Sequence, residues 1–95
     1  MLEKHIEKGL RKAVIEKGGL CLKFVSPNMA GVPDRLVLMP CGKLGFVEVK
    51  QKEKQPRPLQ LTRMKQLSSL GYKTFVLDDI NQIPEIIREI GGDAT

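Results

Sequence analysis

The sequence is short of the residues from which many functional sites are built. It has two cysteines and one histidine among 95 residues. Cys21 and Cys41 are too far apart for a CxxC knuckle or redox pair, and His5 alone cannot complete a Cys/His zinc set. Any metal must therefore be held mainly by carboxylate oxygens, which is the chemistry of magnesium or manganese. Aromatic residues make up only 4% of the chain. Phe24, Phe46, Tyr72 and Phe75 fall in apolar runs, where they serve the core rather than stack bases along a single strand. No glycine-rich phosphate loop ending in Gly-Lys-Ser/Thr occurs, which argues against an NTPase. No apolar run is long enough for a signal peptide or a membrane span, so a cytoplasmic setting is expected.

What is present is a small basic chain. Its length favours one domain, expected over residues 1–92, with 93–95 as a short tail. Hydrophobic residues are 41% and charged residues 28%, enough to close a modest core with little apolar surplus. Association into a homodimer would help such a chain. The net charge of +5 and pI near 9.4 favour a polyanionic partner, because phosphate contacts release condensed counterions. Charge alone decides nothing, since many soluble proteins are basic.

Apolar residues Leu2, Ile6, Leu10, Val14 and Ile15 recur at helical spacing up to Gly18-Gly19. Leu20 to Val25 reads as a strand, broken by the turn-rich Ser26 to Pro33. Arg35 to Met39 and Phe46 to Lys50 are β-rich runs around a turn at Pro40 to Gly45, and predict a hairpin. Pro58 to Leu70 predicts a helix with Leu59, Met64, Leu67 and Leu70 on one face and Gly71 as its cap. Tyr72 to Leu77 reads as a strand, and Ile83 to Ile90 as a helix ended by Gly91-Gly92. The fold class is α/β: helix, three strands, helix, strand, helix, with a mixed central sheet flanked by helices.

The chemistry gathers around the hairpin. Glu48 and Lys50 are two apart in a strand, so their side chains share a face. With the turn centred on Gly42, Asp34 lies across from Lys50 and Leu36 across from Glu48, which brings Asp34 to the same face; a slip of one residue would remove it. Two carboxylates can hold a hard cation, and a neighbouring ammonium can orient or deprotonate a water or neutralise developing charge, as attack on a phosphodiester requires. An isolated Glu-x-Lys is most often an ordinary pair on a solvated strand face. Here it follows a Pro-Asp turn at one hairpin's distance, in a basic chain.

Gly31-Val32-Pro33-Asp34-Arg35, Phe46-Val47-Glu48-Val49-Lys50 and Pro58-Leu59-Gln60 together resemble the VRR-NUC family, a branch of the PD-(D/E)xK nucleases. The similarity covers nearly the whole chain. It implies a divalent-metal nuclease in which Asp34 and Glu48 bind magnesium or manganese, Lys50 assists catalysis and Gln60 sits at the edge of the site. The first helix of the family donates a further glutamate, here Glu3 first and Glu7 as the alternative, four apart on one helical face. A main-chain carbonyl of the Glu48 strand, at Val49 or Val47, is a further expected ligand. Stand-alone members resemble symmetric Holliday-junction resolvases, which implies a homodimer acting on branched DNA.

Arg35, Lys52, Lys54 and Arg57 are the expected nucleic-acid contacts, with Lys23, Lys43, Arg63 and Lys65 as further basic groups. Duplex or branched DNA read through its backbone suits the scarcity of aromatic residues. Two rivals stand beside this reading: a DNA-binding module that does not use its carboxylates, and a hydrolase of another phosphoester, which would need a base pocket.

Overall fold

The computed structural model describes residues 1–91; Gly92 and the expected tail at 93–95 lie outside the described residues. The elements are α1 (Glu3–Glu16), β1 (Leu20–Lys23), β2 (Arg35–Met39), β3 (Lys43–Val49), α2 (Pro58–Ser69), β4 (Lys73–Leu77) and α3 (Ile83–Gly91). The four strands form one sheet in the order β1-β2-β3-β4. The first three are antiparallel neighbours, and β3 runs parallel to β4 through the α2 crossover. The α/β architecture with a mixed sheet is the expected one.

Side-chain alternation divides the sheet into unequal faces. Val37 and Met39 of β2, Val47 and Val49 of β3 and Leu77 of β4 are buried against Ile6, Leu10 and Val14 of α1 and Ile83, Ile86, Ile87 and Ile90 of α3. Burial of each such side chain contributes about 1.5–3 kcal/mol before ordering costs, so this face carries the core. Gly45 lets α3 approach, since a Cβ there would lie 2.6 Å from Ile90 Cγ1. The opposite face receives α2 alone. Of the four apolar residues expected on α2's inner face, only Met64 is buried, while Leu59 and Leu70 are exposed. A single helix cannot cover four strands, so part of that face stays open.

The hairpin differs from the expected register. Arg35 pairs with Val47 and Met39 with Lys43, which centres the turn on Cys41 instead of Gly42. Cys41 and Gly42 both take left-handed backbone angles, φ 68° and 74°, and this tight turn starts β3 at Lys43. Extending the pairing puts Asp34 opposite Glu48 rather than Lys50. The shift is two residues, an even number, so Asp34, Glu48 and Lys50 keep a common face. β1 also ends early, at Lys23, although the Phe24 N–H still donates to the Asp34 carbonyl at 2.9 Å.

Candidate active site

Asp34 stands just before β2, after the buried Pro33. Its main-chain N–H donates to Glu48 Oε1 at 3.1 Å, and its own Oδ1 accepts the Val49 N–H at 3.0 Å. The two acidic residues thus complete the end of the β2–β3 pairing with their side chains. Glu48 is 3% exposed, and a carboxylate buried to that degree is costly unless it is partnered. It has partners: Oε2 accepts from Gln60 Nε2 at 2.9 Å and lies 3.3 Å from Lys50 Nζ. Gln60 Oε1 in turn accepts the Arg57 N–H at 2.8 Å. One amide therefore caps the first turn of α2 and holds Glu48.

The remaining groups fall on either side. Arg35 points to the α1 face, where its Nε is 3.5 Å from Glu7 Oε2, while its Nη1 donates to the Asp34 carbonyl at 2.8 Å and lies 3.6 Å from Asp34 Oδ2. Glu7 is thus engaged by Arg35 next to Asp34, and Glu3 is exposed in the first turn of α1. Among the described residues, no set of three or more Asp, Glu, His or Cys is grouped so as to hold a metal. Lys52 Nζ lies 3.5 Å from Asp79 Oδ2, and Lys54 and Arg57 are exposed in the segment leading to α2.

Sequence reasoning missed what fixes the loop before Asp34. Arg63 is one of the further basic groups of the sequence. It reaches across to that loop, its Nε donating to the Ala30 carbonyl at 2.7 Å. Gly31 has φ +85°, and a Cβ there would lie 2.7 Å from Leu59 Cγ, so glycine lets the loop close on α2. A cleft of about 320 Å³ remains beside the site, lined by Ala30, Gly31, Val32, Arg57, Leu59 and Gln60. No spacing in the sequence signals the Arg63 hydrogen bond, because its partner is a main-chain carbonyl 33 residues away.

No family model matches the chain. A curated protein named "Putative nuclease p44", from Acyrthosiphon pisum secondary endosymbiont phage 1, is 49% identical over 76 residues, which span 80% of this chain and 82% of that protein. A solved structure described as a VRR_NUC domain superposes with a TM-score of 0.85 at 31% identity, over 90% of this chain and 94% of the other. The chain belongs to the VRR-NUC family.

Burial sets the electrostatics of this VRR-NUC site. Burial lifts the Asp34 carboxyl above its ordinary range, against the lowering pull of the Val49 N–H and Arg35. Burial lifts Glu48 as well, and the Asp34 charge lifts it further, while Lys50 pulls it down. A buried and a half-buried carboxylate crowded together with raised proton affinity would be relieved by a positive charge between them.

Proposed function

We propose that this VRR-NUC chain is a divalent-metal-dependent DNA endonuclease with selectivity for branched substrates. The observation that carries the reading is the interlock of Asp34, Glu48, Lys50 and Gln60, in which a buried and a half-buried carboxylate and one ammonium share the end of β3. Asp34 and Glu48 would hold magnesium or manganese, with a carbonyl of Val49 or Val47 as a further donor. When bound, the cation supplies Lewis acidity toward a phosphate oxygen and toward water. Lys50 places its positive charge next to the phosphate and orients the attacking water, and Gln60 keeps Glu48 turned to the site. Arg57, Lys52 and Lys54 hold the backbone beside the cut.

The test is incubation of labelled four-way junction, flap and linear duplex DNA with magnesium or manganese. We expect cutting of the branched substrates in preference to the linear duplex, and no cutting with a chelator. Binding of DNA without cutting under every metal would replace the nuclease with a DNA-binding module. Cleavage that persists in chelator would remove the metal from the reading.

The homodimer is supported by the open part of the sheet. On the α2 side, Leu20 and Leu22 of β1 stand beside Leu38 and Leu36 of β2, which stand beside Leu44 and Phe46 of β3. Phe46 also touches Phe24 and Tyr72, with ring centroids 5.6 and 5.9 Å apart. Leu20, Leu22 and Tyr72 are 58%, 43% and 45% exposed. A contiguous apolar surface on so small a domain fits a partner surface of the same kind. Sedimentation is expected to give a dimer for the parent and a monomer for Leu22→Glu. A monomeric parent at the concentrations that cut DNA would end the dimer reading.

A further inference from the structure

The four residues expected to contact nucleic acid do not all lie on one side of the carboxylates. Lys52, Lys54 and Arg57 lie in the segment between β3 and α2. Arg35 faces α1 instead. Its register partner on β1 is Lys23, and alternation sends both side chains to the α1 face with Cys21 and Val37. The thiol of Cys21 is pushed up to about 11 by burial and by Glu7, and it feels the charges of Arg35, Arg11 and Asp34 as well. The Glu7–Arg35 ion pair joins the site to α1, and Arg11 follows Glu7 by one turn on that helix.

Helix α1 carries this basic character outward. Its buried stripe is Ile6, Leu10 and Val14. At about 100° per residue, Arg11, Lys4 and Lys8 lie progressively further round from that stripe on the Glu7 side and Lys12 completes the far side, all exposed, with His5 and Glu16 beyond Lys12. Glu7 is already neutralised by Arg35. None of Lys4, Lys8, Arg11 and Lys23 forms an ion pair among the described residues.

This arrangement works against the helix that bears it. Lys4 and Lys8, and Lys8 and Lys12, are like charges four apart, and positive charge in the N-terminal half opposes the helix dipole. Local rules broken without a local gain are expected where function compensates. Exposed cations on the Glu7 side of α1 that form no ion pair among the described residues suit a polyanion, and their continuity with Asp34 through Lys23 and Arg35 suits the polyanion that enters the site.

We propose that Lys4, Lys8 and Arg11 of α1, with Lys23 of β1, form a second phosphate-binding face that carries the nucleic-acid backbone away from the carboxylates on the α1 side of the sheet. The segment from Lys52 to Arg57 holds the backbone at the end of β3, so the backbone is held at two separate places along its path. This inference rests on the nuclease reading, since the backbone held on α1 is that of the DNA being cut.

The experiment measures binding of a fluorescent four-way junction in chelator over a range of salt. The proteins are the parent, Lys8→Gln/Arg11→Gln/Lys23→Gln, and Lys52→Gln/Lys54→Gln/Arg57→Gln. Removing one cation that neutralises a phosphate lowers the slope of log affinity against log salt by about 0.9. We expect both triple variants to show slopes shallower by about 2–3 and to bind at least about tenfold more weakly, with melting curves like the parent's. A parent-like slope for the α1 and β1 variant, beside a reduced slope for the other, would overturn the α1 face and leave the nuclease reading standing. A parent that neither binds nor cuts any of the DNA substrates would overturn both.

Discussion

Lys50→Ala is expected to lower the rate of DNA cleavage at saturating metal by about 10²–10³-fold, the effect of removing one preorganised stabiliser of transition-state charge. The ammonium is 3.3 Å from Glu48 Oε2, and its side chain is 16% exposed, so water cannot replace it at the same strength. An interaction made mainly in the transition state is lost from kcat, with KM little changed. A large rise in KM with unaltered kcat would instead make Lys50 a substrate-binding residue.

The same substitution has a second signature that separates catalysis from folding. Burial and the Asp34 charge raise the Glu48 carboxyl, and Lys50 is among the groups that pull it down. Removing the ammonium lets Glu48 rise further. Cleavage that needs Glu48 ionised then fails at a higher pH, so the acid limb of the pH–rate profile is expected to move up in Lys50→Ala. Lys50→Arg keeps the charge and should leave that limb near the parent's even if the rate falls. An acid limb common to all three proteins would detach Lys50 from Glu48.

Much of this arrangement is legible in the residues. Alternation in Glu48-Val49-Lys50 allows only one shared face for the two charges. Asp34 reaches that face despite a turn centred one residue early, because the resulting shift in pairing is even. Turn geometry at Cys41 is what no propensity supplies, since a non-glycine residue in the left-handed region is set by the surrounding strands. The four isoleucines of α3 are all buried, as their spacing predicts, whereas Leu59 and Leu70 of α2 are not. Periodicity identifies an apolar stripe but not how much of a sheet the helix will cover. Gln60 enters through resemblance alone; its two hydrogen bonds, to the start of its own helix and to a strand twelve residues earlier, explain its place. Glu7 and Arg35 show the opposite case, two residues assigned separate roles that meet each other at the site's edge.

Glu48→Gln is expected to abolish cleavage while stabilising the metal-free protein at neutral pH. Asp34 and Glu48 both have carboxyls raised above their ordinary values of 3.8 and 4.5. A raised carboxyl favours folding when protonated, so its contribution is fully present below the unfolded value and is lost as pH rises through the folded one. The pair therefore weakens the metal-free fold above that window, and melting temperature should rise as pH falls through it. Asp79 acts in the opposite sense, its carboxyl being lowered chiefly by the Asn81 N–H. The difference between parent and Glu48→Gln cancels that contribution. On the proposed reading a divalent cation would reverse the cost, since it would bind the ionised pair of the folded state alone. At a hundredfold excess over its dissociation constant it adds about 2.7 kcal/mol, which for a domain of this size corresponds to a rise on the order of 10–20 °C. That rise should shrink toward acid pH, where protons compete with the metal, and should vanish in Asp34→Asn/Glu48→Gln. A cation-induced rise that survives in the double variant would place the metal elsewhere. A metal-free melting temperature with the same pH dependence in parent and Glu48→Gln would show that the buried carboxylate carries no strain for a cation to relieve.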